Sequence, residues 1–383
     1  MKSRWALLAF TLLGGVTPLR AQVTFERILN AEREPANWLS YSGTVTNQRY
    51  SRLDQITAAN VKDLKLQWIW QAASLEKFEA TALVVDGVLY TVQAPNTVVA
   101  LDAATGRIFW TYGYEPAADA RACCGRVNRG LAILGDTLFM GTLDAHLLAI
   151  DAKSGKLVWN TAVASAAQHY AITMSPLVVK DKVLIGTAGG DLGIRGVIAA
   201  FDAKSGREVW RFHTIPAAGE PGSETWAGDS WKEGGAAVWN AGAYDRETNL
   251  VFFGTGNPAP DWDGRGRAGD NLYSDSVVAL DADSGKLGWY YQFTPHDEID
   301  YDSTQVPVLA DITWGGVLST AGDVVFGGGK EGYFVALDAR TGKELWRLAV
   351  GGQINSGPMS YSVGGKQYVT VAAGSSLFAF ALP

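Results

Sequence analysis

Cysteine is almost missing from the sequence: its 383 residues hold two, Cys123 and Cys124, and they are neighbours. Histidine is nearly as scarce, with four copies and none at a zinc-ligand spacing. No Cys-x-x-Cys-His stretch exists, so the chain has no site for covalent attachment of haem. Positive charge is also in deficit. The 32 lysines and arginines face 39 aspartates and glutamates, a net charge of −7, which excludes the basic footprint of a nucleic-acid binder. Long apolar runs are lacking too. The one from Trp5 to Val16 is short for a bilayer, and no later segment approaches the length of a membrane helix. Because that run follows Lys2 and Arg4 and precedes the small Ala21, residues 1–21 read as an export signal peptide. The alternative is an uncleaved anchor, given the imperfect Leu19-Arg20-Ala21 site.

What the sequence has in quantity is glycine and tryptophan, 44 and 14 copies, at only 19% charged residues. That balance suits short strands joined by tight turns. One pattern recurs five times: an apolar strand, Asp-Ala-x-Ser/Thr-Gly-Lys/Arg, two more residues, then Trp. The copies run Asp102–Trp110, Asp151–Trp159, Asp202–Trp210, Asp281–Trp289 and Asp338–Trp346. Identical internal spacing marks a repeat architecture. Asp and Ser/Thr bond nearby backbone groups and Gly accepts positive φ, so each copy is a hairpin turn, and the Trp that follows has a large face to bury.

Two further strand-like runs precede each turn, which makes four strands per unit and predicts an all-β fold, a β-propeller. LKLQWIW near residue 64 looks like a fourth strand with nothing before it, and the terminal SLFAFALP looks like a third strand with nothing after it. Pairing them closes the propeller and gives about six blades, leaving no open sheet edges. A β-sandwich competes, but sandwiches need no strict repeat. The expected organisation is the signal peptide, a lead-in segment at residues 22–63, and a single propeller domain at 64–383. The unit ending at Trp289 carries extra polar and Gly-rich segments around 214–234 and 257–274, and insertions of that size are often functional.

The cysteine pair sits in RACCGRVNRG. Consecutive Cα atoms lie about 3.8 Å apart, below the usual span of a disulfide. A bond between them closes a small ring that stabilises little through chain entropy, so its use is shape or redox chemistry. Two reduced, buried thiols are the alternative; export to an oxidising compartment argues for the bond.

CCGRVNRG, GTLDAHLLAIDAKSGKLVW, GTGNPAPDWDG and TPHDEIDYD together closely resemble the pyrroloquinoline quinone (PQQ) dependent alcohol dehydrogenases of bacteria, the methanol and ethanol dehydrogenase family. The resemblance runs from about Asn37 to the C-terminus. It implies a periplasmic quinoprotein that oxidises an alcohol to an aldehyde and passes electrons to a separate cytochrome c-like carrier. It also implies that PQQ lies between a vicinal disulfide, Cys123 and Cys124 here, and a tryptophan, Trp239. An indole and a disulfide are suitable surfaces for a flat ring. Arg129 matches the family's contact to the cofactor's carboxylate and ketone region, Glu79 a hydrogen bond to the quinone, and Thr173, Ala188, Gly189 and Gly190 further contacts.

For the metal, the resemblance implies Asp191, Asn257 and Asp300, with Asp300 also the catalytic base. All are oxygen donors, as calcium or another hard ion requires. Asp302 resembles the extra carboxylate of the lanthanide-using branch, although some calcium-type relatives also carry an acid there. The family has glutamate where this chain has Asp191, and tryptophan where it has Ile299. On the bland reading, Asp297, Asp300 and Asp302 are a solvated acidic loop.

Full members build eight blades. Here about two are absent after VPVLADI, near residues 306–312, and with them a basic residue and an asparagine near the quinone; Lys330 is a candidate to replace the basic residue and fits equally well as a turn lysine in the last blade. A non-catalytic propeller acting as a binding or assembly scaffold is therefore the alternative function.

Overall fold

The computed structural model describes residues 23–309, 318–328 and 332–383. Their sheets are six blades, and apart from one short helix, Phe25–Leu29, and several 3-10 turns the rest is loop. Numbered in chain order, blade 1 runs from Leu83 to Gly113, blade 2 from Ala132 to Ala162, blade 3 from Leu177 to His213 and blade 4 from Ala243 to Gln292. Blade 5 runs from Leu318 to Ala349, and blade 6 combines Met359–Val363, Lys366–Ala373 and Ser376–Ala381 with Lys65–Gln71 from the other end of the chain. The expected closure is therefore observed. Leu66 faces Phe380 and Gln71 faces Ser376 across the antiparallel join.

Each repeat turn is built as its residue types dictate. In blade 1 an Asp102 carboxylate oxygen accepts from the amides of Ala104 and Thr105 at 3.0 and 2.9 Å, while Gly106 sits at φ 72°. The Trp then reaches the next blade. Trp68, Trp110, Trp159 and Trp210 donate through Nε1 to the carbonyls of Ala103, Ala152, Ala203 and Ala282 at 3.1–3.3 Å. Each indole also covers the turn glycine so closely that a Cβ there would stand under 3.0 Å from it. Glycine is required at these turns by packing as well as by φ.

That chain of joints stops after blade 4. Trp289 is 46% exposed, and among the described residues nothing lies within 4 Å of a Cβ placed on Gly342, the turn glycine of blade 5. The lead-in segment spans this seam instead. The amide of Tyr244 in blade 4 donates to Val45 O, and Tyr50–Ser51 pair in parallel with Ser319–Thr320 of blade 5. Blade 5 meets blade 6 through Trp346, whose ring lies 5.6 Å from that of Phe380.

Candidate functional site

The expected site residues fall at two recurrent places in the blades. Glu79, Arg129, Thr173 and Trp239 lie on the segments that lead into the first strands of blades 1 to 4. Ala188–Asp191 and Asn257 lie between the second and third strands of blades 3 and 4, and Asp300 and Asp302 follow the outer strand of blade 4. Sequence distances of up to 223 residues therefore collapse onto one cavity of about 160 Å³. Glu79, Cys123, Cys124, Arg129, Thr173, Ala188, Gly189, Gly190, Asp191, Trp239, Asn257, Asp300 and Asp302 all line it. Lys330 lies outside the described residues.

One wall is sulfur and indole. The sulfurs of Cys123 and Cys124 are at bonding distance, and Cys124 takes a left-handed φ of 67°. In the same lining the Arg129 guanidinium lies over the Trp239 ring, 4.7 Å from its centroid. It also donates to Thr173 Oγ1 at 2.9 Å and to Trp239 O at 3.3 Å, and pairs with Glu79 at 2.9 Å. A guanidinium held on so many sides is pre-organised to donate to an anionic or ketone oxygen. At Gly189 the chain has φ 117° and a Cβ would run into the His169 carbonyl, so only glycine lets this wall close.

The other wall is acidic. Burial raises Asp191 to about 6, with Asp261 and Asp300 adding repulsion. Burial likewise raises Asp302 to about 6, against a hydrogen bond from Asn257 N at 3.2 Å. Burial and Asp297 push Asp300 upward. These carboxylates repel one another across the cavity, and a cation between them would relieve that repulsion. Among the described residues, no three His, Cys, Asp or Glu side chains are drawn together tightly enough to hold an ion by themselves. With the Asn257 amide the set is all oxygen, which fits a hard ion such as calcium or a lanthanide and not zinc.

The loop that carries Asp300 is folded by Asp297. Its buried carboxylate accepts from the amides of Ile299 and Tyr301 at 3.0 and 2.9 Å, so it is a structural residue and not part of a solvated acidic face. Arg267, fully buried in the insertion, donates to Asp297 O and to Asn271 Oδ1. Asp300 and Asp302 both take left-handed φ values, 57° and 52°, strain of a kind that concentrates at functional sites. Ile299, just before Asp300, is 52% exposed.

Three residues at or beside the cavity were not expected from the sequence. Lys77 lines it and donates to Cys124 O at 3.4 Å; its spacing of two from Glu79 on an extended segment is the signal that points to it. Asp261 holds the Asn257 amide at 2.8 Å and stands four residues on in GTGNPAPDWDG. Asp275 is fully buried with both carboxylate oxygens unpartnered, and nothing in its local sequence, YSDSV, marks it.

The loops of the propeller thus gather paired sulfurs, an indole, a clamped guanidinium and several oxygen donors in the lining of one cavity. The family model for the β-propeller domain of PQQ-dependent glucose, ethanol and alcohol dehydrogenases matches residues 38–316 and 312–369, and the chain belongs to that family. It is 41% identical over 358 residues to the quinohemoprotein alcohol dehydrogenase ADH IIB of Pseudomonas putida, covering 89% of this chain and 51% of the relative. It is 36% identical over 366 residues to the lanthanide-dependent methanol dehydrogenase of Methylacidiphilum fumariolicum, covering 89% and 59%. The chain thus spans about half the length of the relatives it matches. The solved quinohemoprotein alcohol dehydrogenase ADHIIG from Pseudomonas putida HK5 superposes with a TM-score of 0.88 at 28% identity, over 95% of this chain and 82% of that one. The two stretches of the family match meet at residues 312–316, between Trp289 and Gly342 in sequence, where the sequence lacks about two blades.

Proposed function

We propose that this chain oxidises an alcohol to an aldehyde in the periplasm, with PQQ and a calcium or lanthanide ion bound in the cavity, and hands electrons to a separate carrier. The observation that carries this reading is the convergence of Cys123, Cys124, Trp239, Arg129, Asp191, Asn257 and Asp300 on one cavity. Bound there, PQQ would supply the hydride acceptor and the ion would supply Lewis acidity. The remaining work belongs to the chain.

Oxidised Cys123–Cys124 and the Trp239 indole offer polarizable surfaces to a flat ring and keep water from it. Arg129, with Lys77 nearby, meets the negative charge that such a ligand carries. Asp191, Asn257 and Asp302 offer oxygens to the ion, and its positive charge favours ionised Asp300. An ionised Asp300 carboxylate then takes the hydroxyl proton of the alcohol, general-base work for which its place on the cavity wall suits it. Export rests on the basic, apolar start of the chain. Residues 1–383 hold no Cys-x-x-Cys-His haem-attachment motif, so the electrons leave this propeller for a carrier outside it. No helix among the described residues is long and apolar enough to cross a membrane.

The test is Asp300→Asn in protein reconstituted with PQQ and either calcium or lanthanum, assayed with primary alcohols and an artificial acceptor. Turnover should vanish while PQQ still binds. Surviving turnover would remove Asp300 from the role of base. No turnover by the wild type with either ion would leave the scaffold reading.

A further inference from the structure

Asn257 is the one amide among the described residues that line the cofactor cavity, and it is buried. An amide is an ambiguous ligand. Its oxygen can meet a cation, its NH2 group repels one, and a half-turn about the last side-chain bond exchanges the two. Whatever fixes that half-turn is part of the site.

The backbone of Asn257 is held on both sides. Its N–H donates to Asp302 Oδ1 at 3.2 Å and its carbonyl accepts from Ala236 N at 2.8 Å. The side chain is held by two acceptors: Nδ2 donates to Asp261 Oδ1 at 2.8 Å and to Pro258 O at 3.3 Å. A backbone carbonyl can only accept, so the NH2 end has to face this pair, and Oδ1 is turned away from it. Asp261 supplies the shorter of the two bonds.

The place of Asp261 is secured in turn. Pro258 and Pro260 stiffen the chain between Asn257 and Asp261. Arg267, fully buried, donates to Pro260 O through Nε and Nη2 at 3.3 and 3.1 Å. The same guanidinium donates to Asp297 O in the loop of Asp300, so it ties the segment that orients Asn257 to the segment that carries the base.

We infer that Asp261 is a positioning residue for the ion site: it turns the Asn257 amide so that Oδ1, and not the NH2 group, is offered to the cation. The inference rests on the ion site proposed above and adds a residue to it. Asp261 is not in the cavity lining, so it acts through Asn257. It does stand close enough to Asp191 to repel it, so its test has to separate orientation from charge.

Terbium is the probe, read by tryptophan-sensitised luminescence in the full chain, for the wild type, Asp261→Ala, Asn257→Ala and the double variant. Asp261→Ala should weaken terbium about tenfold, the usual scale for a residue that orients a metal ligand. Its luminescence lifetime should shorten in H2O and not in D2O, as a water takes the place of the released amide oxygen. In the double variant terbium should bind within about twofold of Asn257→Ala alone, because nothing is left to orient. Asp261→Asn keeps an oxygen acceptor without the charge and should stay within about threefold of the wild type. Unchanged affinity in Asp261→Ala would overturn the role. Equal losses in Asp261→Ala and Asp261→Asn would assign the effect to charge, and additive losses in the double variant to direct ligation; either would overturn it. A wild type that binds no terbium would overturn the ion site itself, and this role with it.

Discussion

Arg129 and Trp239, 110 residues apart in sequence, are stacked: the guanidinium carbon lies 4.7 Å from the indole centroid. The same guanidinium is tied to Glu79 and Thr173, so three blades fix its position. Replacing Arg129 by Gln removes the charge and the stack together. PQQ affinity should fall at least tenfold, measured by equilibrium fluorescence quenching, with Arg129→Lys only partly restoring it because an ammonium cannot make the fork. Equal affinity in wild type and Arg129→Gln would show that the cofactor does not meet this face.

The inter-blade joints give a prediction about stability. Trp210 is buried on the Gly285 turn and hydrogen-bonded to Ala282, whereas Trp289 is 46% exposed. Trp210→Ala should therefore cost about 3–5 kcal/mol in urea unfolding, and Trp289→Ala no more than about 0.5 kcal/mol. A comparable loss in both would mean that Trp289 is docked.

The contrast between these two tryptophans also shows what the sequence could reveal. The Asp-Ala-x-Ser/Thr-Gly turn states its own geometry, so five hairpins, the blade count and the pairing of Lys65–Gln71 with Ser376–Ala381 were legible from local chemistry. Trp210 and Trp289 follow the same motif, yet only one docks, because docking depends on the neighbouring blade and not on the motif. The cavity was legible for a different reason. Vicinal cysteines and HDEIDYD are rare enough to identify a family, and the family supplied Trp239, Asp191 and Asn257, which no local rule singles out. Asp297 shows the limit: as one of three acids in a short loop it read as solvated, but its carboxylate is spent on two backbone amides. Asp275 had no signature at all, since its importance lies in burial without a partner.

Asp275 makes a pH prediction. Burial, reinforced by Asp297 and Asp302, pushes its carboxyl up to about 8, far above the ordinary value near 3.8. The folded state then holds a proton that the unfolded chain releases, so this residue subtracts stability progressively as pH rises between those values. Asp275→Asn abolishes that loss. Its Tm should differ little from wild type near pH 4 and exceed it increasingly towards about pH 8. A constant Tm difference across the range would contradict the assignment.

The acidic wall predicts ion binding with a distinct readout. Terbium luminescence, sensitised by tryptophan, should rise to saturation on titration of the full chain, since Trp239 lines the same cavity as Asp191, Asp300 and Asp302. Asp302→Ala should weaken terbium by at least tenfold and calcium competition by less, because a trivalent ion gains more from each added carboxylate. Equal effects on both ions would deny Asp302 a part in choosing the metal.

The most direct test of the account is the binding of PQQ to the wild-type chain beside its Trp239→Ala and Cys123→Ser/Cys124→Ser variants, with calcium or lanthanum present. The wild type should take up one equivalent, with a quinone absorbance that bleaches on adding an alcohol, and both variants should bind at least tenfold more weakly. No saturable uptake by the wild type, or affinity unchanged when the indole and the sulfurs are removed, would contradict it.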